Sequence, residues 1–315
     1  MKKKHIGLLL IILIIIATFL YMSNIGKVSW AKESPKTKYT KAREKEIWGK
    51  VLHAENPALF YGTPLYDLAK EIASGFGNHK KIEELINEIP KEYINFPENK
   101  FAMTIGQFAL ETKNMFAIRK LLDKGLDPNL ITDQLGDGRV LIIDINRSFY
   151  GQAPESLGTL EYMIKKGANV NLISKHNMFK TPLLMASSYR LENVKALIKA
   201  GANPHFIDSS VATFKSPLSV ALKYKHINIV NYLVFDQKVD FRTLKYPMDS
   251  KFHPGEYEIL HNLREMFFDL NTEDFKEKMK LVAYLKTQGL DYWKTPIQER
   301  YKNNPNYTQD YLSKY

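Results

Sequence analysis

Eight histidines, no cysteine and no positioned nucleophile set the limits of what this chain can do chemically. The histidines stand at positions 5, 53, 79, 176, 205, 226, 253 and 261, and no two lie four apart, the spacing that puts a metal-binding pair on one helical face. Without cysteine there are no disulfides, no thiolate catalysis and no cysteine-ligated zinc, a composition compatible with an oxidising compartment. No G-x-S-x-G elbow, H-E-x-x-H pair, phosphate-binding P-loop or dinucleotide-binding glycine fingerprint occurs. Asp133, Asp137, Gly138 and Asp144 do occupy positions 1, 5, 6 and 12 of a calcium loop. Leu135 spoils position 3, and the acid at position 12 is the short Asp where a bidentate Glu is usual. The expectation is no catalytic residue, no metal and no cofactor.

A second pattern is more informative because it repeats. Phe179-Lys180 precedes a Thr-Pro-Leu and Phe214-Lys215 precedes a Ser-Pro-Leu, while Tyr189-Arg190 and Tyr224-Lys225 close the two matching segments. Aromatic rings beside cations are a composition favoured at interface hot spots. Phe206, Tyr246, Phe252 and His176 could extend the same face. The competing reading is that these rings pack beneath neighbouring loops. Lys165-Lys166 reads as a solvated helix end near the negative dipole terminus.

The elements that position these residues are legible around residues 180–203. Thr181 can cap a helix that accepts Pro182 in its first turn, where a backbone N–H partner is not needed. Leu183 and Ala186, then Val194, Leu197 and Ile198, place apolar groups on the facing sides of two short antiparallel helices. Gly201 supplies the left-handed residue that ends the second. The opening returns at Ser216-Pro217-Leu218 and Ala221, 35 residues on, and Gly201-Ala202-Asn203 follows Gly167-Ala168-Asn169 by 34. The T-P-L-x-x-A opening, the L-I-K-A-G-A-N closing and a period near about 33 residues resemble the ankyrin repeat.

That resemblance implies an all-α ankyrin-repeat α-solenoid of about six repeats over residues 41–295, with an N-terminal capping helix and a second cap or polar tail at 296–315. The first repeat opens at Thr63-Pro64-Leu65 and turns at Gly75-Phe76-Gly77; the second runs from Thr104 to Asn129. The third is stretched, with extra length around 133–138 and 148–156. The sixth follows the long loop KYPMDSKFHPG, with helices expected near Glu256 to Leu270 and Asp274 to Gln288. His226 opens the second helix of its repeat, where ankyrin sequences carry a packing histidine. In the family the inter-repeat fingertips and first helices form a concave recognition surface, so the implied partner-binding set is Phe179, Lys180, Tyr189, Arg190, Phe214, Lys215, Tyr224 and Tyr246.

Before the repeats lies a different kind of sequence. Residues 1–5 form a short lysine-rich tail, residues 6–22 an unbroken apolar run at the short end of what spans a bilayer, and residues 23–40 a basic tether. An uncleaved anchor with the repeats facing the periplasm is the expectation, although the lysines after the run pull against that orientation. Residues 1–50 carry 11 of the 45 lysines and arginines against 3 of the 34 acids, leaving 34 against 31 elsewhere. The basicity therefore belongs to the arm, which suits an anionic membrane surface better than a nucleic acid. The whole arrangement resembles the membrane-anchored bacterial ankyrin proteins that protect a cell from phospholipase effectors of type VI secretion systems. That resemblance implies a protein partner capped sterically, with a general envelope scaffold as the alternative.

Overall fold

A computed structural model describes residues 54–75, 78–98, 101–132, 138–147, 153–211, 214–251, 253–302, 304 and 307–314. The expected anchor at 6–22, the basic tether and the capping helix from residue 41 lie outside the described residues, as do Asp133 and Asp137 of the calcium-loop match. Among the described residues no helix is long and apolar enough to cross a membrane.

Chain contacts group the described residues into two compact units, one running to Ile142 and resuming at Tyr162–Met178, the other made of Ile143–Glu161 and Phe179 onward. The first unit opens on a 3-10 turn, Pro57–Phe60, followed by α1 (Tyr66–Ala73), α2 (His79–Glu88) and α3 (Lys91–Ile94). Helix α1 starts two residues after Pro64, because the Thr63 hydroxyl accepts the Leu65 N–H at 3.2 Å and closes a separate turn first. Next come α4 (Ile105–Glu111) and α5 (Met115–Lys124). Thr104 and Gln107 form a reciprocal capping box at the start of α4, satisfying two otherwise unpaired N–H groups. The cores of α1, α2, α4 and α5 meet through Leu68, Ile72, Ile82, Ile86, Phe108, Ile118 and Leu121, all buried, with Phe60 edge-on to Phe108 at 5.2 Å.

Asparagines stitch one repeat end to the next. The Asn95 side chain donates to the Gly125 carbonyl at 2.9 Å and accepts the Asp127 N–H at 2.8 Å. Asn129 repeats the arrangement with Gly167 and Asn169, at 3.1 and 2.7 Å. The stretched third repeat contains a short antiparallel pair, β1 (Ile131–Thr132) and β2 (Arg139–Val140), with Ile131 opposite Val140. An all-α reading missed this pair, since two residues per strand carry no readable alternation. The chain then passes through α6 (Leu141–Asp144) and α7 (Ala153–Lys165).

In the second unit the hairpin read from sequence is present: α8 (Pro182–Ser187) and α9 (Leu191–Lys199), then α10 (Pro217–Lys223) and α11 (Ile227–Asn231). Thr181 Oγ1 accepts the Leu184 N–H at 3.2 Å, and Ser216 and Ser219 make a capping box. Gly201 lies at φ +95°, where a side chain would strain the backbone. Helix α11 runs on into a π-helical turn, Tyr232–Asp236. Two further helices follow, α12 (Glu258–Arg264) and α13 (Glu273–Thr287), close to the expected pair, and then short helical pieces at Glu299–Lys302 and Gln309–Ser313. Leu183, Ala186, Val194, Leu197, Leu218, Ala221, Val230, Leu263, Leu281 and Leu285 are buried. The His226 ring bonds to the Ser188 carbonyl at 2.9 Å, tying one hairpin to the previous one.

Candidate partner-binding surface

Four of the repeated aromatics come together in the second unit. The Phe179 and Phe214 ring centroids are 5.2 Å apart, and Tyr224 lies 5.9 Å from Phe179, 5.8 Å from Phe214 and 6.4 Å from Tyr189. The tilted geometry and spacing are those of attractive aromatic pairs. The pattern Phe-Lys before each helix and Tyr after it therefore builds one cluster, because equivalent positions of successive repeats stack.

Depth differs across the cluster. Phe179 is 1% exposed and belongs to the core, Phe214 and Tyr189 are half-buried, and Tyr224 is 36% exposed. Tyr224 is therefore the most accessible of the four rings and Phe179 the least. Burial, then the neighbouring Tyr189, holds the Tyr224 hydroxyl above the usual tyrosine range, so it stays a neutral donor. Phe214 adopts φ +55°, an uncommon conformation for a side-chain-bearing residue. Ala102 has the same φ two residues before its own cap Thr104, whereas Phe179, two residues before Thr181, does not, so the conformation recurs without being general to the repeat.

Three cations of the pattern, Lys180, Lys215 and Arg190, are engaged within the chain, while Lys225 is exposed. Lys180 pairs with Asp208 and also reaches the Ser210 hydroxyl at 3.1 Å. That lysine, then Ser210, pulls the Asp208 carboxyl down to about 2. Lys215 pairs with Glu258 with both side chains largely buried, and donates to the Lys245 carbonyl at 3.1 Å. Burial raises the Glu258 pKa against the opposing pull of Lys215. Arg190 is within 3.4 Å of the Ser156 hydroxyl. Lys180 and Lys215 thus brace the loops that carry the rings.

Tyr246 stands apart from the four rings. It sits at the base of the long loop before α12, 5.3 Å from the His253 ring and 5.7 Å from His261. Burial, then Glu258 and Glu265, pushes its hydroxyl up to about 12. Phe206 lines a shallow groove with Ile207, Val239 and Leu244, while Phe252 lies outside the described residues. Of the calcium-loop match only Gly138 and Asp144 are described, and Asp144 pairs with Arg147 at 3.2 Å.

Sequence reasoning missed two things here. Ile207 and Met248 are exposed apolar side chains on loop tips of this unit, Met248 at 80%, and no local pattern marks an isolated Ile or Met as surface. His253, Glu256 and His261 also converge, with ligand atoms within 4.8 Å of one another. Their three- and five-residue steps fall outside the i, i+4 spacing of a helical pair, because only His261 is on a helix.

A family model of ankyrin repeats, in three copies, matches residues 152–243. Residues 152–243 carry ankyrin repeats. Among solved structures, the crystal structure of the ankyrin repeat domain of Bcl-3, described as a unique member of the IkappaB protein family, matches with a TM-score of 0.50 and 20% identity. The match covers 73% of this chain and 87% of that one, and establishes a likeness of fold. No curated protein sequence matches the chain. The ankyrin fold is generally a non-catalytic binding scaffold, and its repeats suggest protein–protein interaction.

Proposed function

We propose that the chain is a protein-binding scaffold whose partner docks on the rim of the aromatic cluster, at Tyr224, Tyr189 and Phe214. The observation that carries this reading is the graded burial of the four rings, with Phe179 fixing the base and Tyr224 presenting its face. Rings already held by neighbours lose little freedom on binding, which favours them as anchors.

The partner we propose is a secreted antibacterial phospholipase, capped sterically at the periplasmic face of the inner membrane. What supports it is the sequence before the repeats: residues 6–22 as an anchor and a basic arm beside it. Tethering would confine the scaffold to the surface that such a lipase attacks, raising its effective concentration there. No catalytic step is assigned to the chain, and its action is occlusion.

The experiment is recovery of partners on the detergent-solubilised full chain from periplasmic and secreted proteins of the same strain. A stoichiometric lipase whose activity falls when the chain is added supports the immunity reading. Recovery of envelope housekeeping proteins alone replaces it with a general envelope scaffold. Tyr224→Ala should weaken either complex, and unchanged binding would move the docking site off the aromatic rim.

A further inference from the structure

The loop joining the fifth and sixth repeats has more internal order than a connector needs. Lys245 bridges Tyr257, the Tyr246 N–H donates to the Glu256 carbonyl at 2.9 Å, and the Glu258 N–H donates to the Leu244 carbonyl at 3.0 Å. The Gly255 N–H returns to the Tyr246 carbonyl at 3.2 Å and the Glu256 N–H to the His253 carbonyl at 3.2 Å. These bonds fold residues 245–257 back on themselves and lay His253 and Glu256 against α12, where His261 is 4% exposed.

The three side chains meet closely. The His253 and His261 rings stack at 3.7 Å with 30° between planes, and the Glu256 carboxylate contacts His261 Nε2. Neutral imidazole is the form that ligates a metal. Glu265 adds negative charge close to His253.

We propose that His253, Glu256 and His261 form a binding site for a divalent transition metal, Zn(II) by preference, which clips the 245–257 loop to α12. Two imidazole nitrogens and one carboxylate are a borderline donor set that suits zinc and its neighbours and leaves one coordination position open for water or a partner's side chain. Hard cations such as Mg(II) demand oxygen ligands, which this site does not supply in number. Metal bonds of about 2.0–2.2 Å place tetrahedral donors roughly 3.4 Å apart, so the present spread of up to 4.8 Å contracts by roughly an ångström. A metal lies in the plane of each imidazole it binds, so the half-buried His253 ring on the loop must turn out of its stack on His261, and Glu256, with 53% of its side chain exposed, must swing off His261 Nε2 to make room for the ion.

The site does not depend on the proposed partner. Zn(II) alone is the probe, titrated into the chelator-treated, detergent-solubilised full chain in competition with a chromophoric chelator, with thermal unfolding followed in parallel. One equivalent should bind, the unfolding midpoint should rise with Zn(II), and millimolar Mg(II) should not displace it. His253→Ala and Glu256→Gln should each weaken binding by at least about tenfold, and the rise in unfolding midpoint with Zn(II), read against each variant's own metal-free midpoint, should shrink accordingly, whatever the lost contacts with His261 do to that baseline. Absence of stoichiometric binding in the folded wild type would overturn the site. Undiminished affinity in the double variant would do the same, since the metal would then sit on other histidines.

Discussion

Replacing Lys278 with Met should make the protein more stable at neutral pH, and by an amount that shrinks as pH rises. Lys278 projects from α13 into the core, 0% exposed, with Nζ 3.3 Å from the Met266 carbonyl and 5.2 Å from the centre of the Tyr292 ring. Arg264 lies over that same ring at 4.0 Å. Burial, then the Arg264 charge, depresses the Lys278 pKa to about 6 from an ordinary 10.5. Between those values the native chain holds the amine neutral while the unfolded chain binds the proton. Stability therefore rises with pH across that window, is fully present above the upper value, and is lost progressively as pH falls toward the lower one. Each pH unit contributes about 1.4 kcal/mol, so the wild type should gain about 2.7 kcal/mol from this group between pH 7 and 9. Methionine of similar length cannot titrate. Urea unfolding of both proteins at pH 7, 8 and 9 reads the difference directly, provided their m-values agree. The advantage of Lys278→Met should fall by about 2.7 kcal/mol over that range, other titrations cancelling in the comparison. A constant offset would refute the reasoning, because it would mean that Lys278 keeps its proton in the folded state.

Three further outcomes follow from the same geometry. Lys215→Met should cost about 3–5 kcal/mol in urea unfolding, since Glu258 would be left charged and largely buried, and Glu258→Gln added to it should recover part of the loss. Phe179→Ala should cost about 3–5 kcal/mol, whereas Tyr224→Ala should cost about 1 kcal/mol or less yet weaken partner capture; equal losses would place both rings in the core. Gly106→Ala should destabilise by about 1–3 kcal/mol, because its Cβ would stand 2.4 Å from Leu126 Cδ2, and Leu126→Ala should relieve part of the clash.

The repeat architecture was readable because its signals are local. Thr181 and Ser216 cap their helices through the third residue on, and Gly201 takes the left-handed turn that no other residue takes cheaply. Where a feature depends on residues far apart in sequence, reading stopped. The pairing of Lys215 with Glu258, 43 positions on, turns an expected surface cation into a brace. The approach of His253 to His261 depends on a loop whose return is set by backbone bonds between Tyr246, Gly255 and Glu256. The strand pair at Ile131 and Arg139 is too short for alternation to register, and the start of α1 at Tyr66 is displaced by a hydroxyl bond from Thr63. The aromatic residues themselves were legible as a set, but not their depths, because Phe179 and Phe214 hold the same slot in successive repeats yet differ in backbone conformation, Phe214 alone of the two taking φ +55°, and in burial.

That difference in depth bears on how recognition can work here. On the proposed binding face, Lys180 or Lys215 drawn into a partner contact would first have to leave Asp208 or Glu258, and breaking the largely buried Lys215 pair strands a carboxylate. These two lysines are therefore poorly placed to provide specificity, even though their sequence pattern advertises them; Lys225, which is exposed, is not held back in this way. The rings have no such constraint: Tyr224 has an exposed face and a hydroxyl kept neutral, on a base of Phe214 and Phe179 that is already ordered. Selection among partners on this face should then rest on shape and on hydrogen bonds to tyrosine hydroxyls, with charge acting through the approach more than through the contact. The paired cations serve the contact indirectly, since without Lys180 and Lys215 the loops bearing Phe179 and Phe214 would lose the tethers that fix the ring positions.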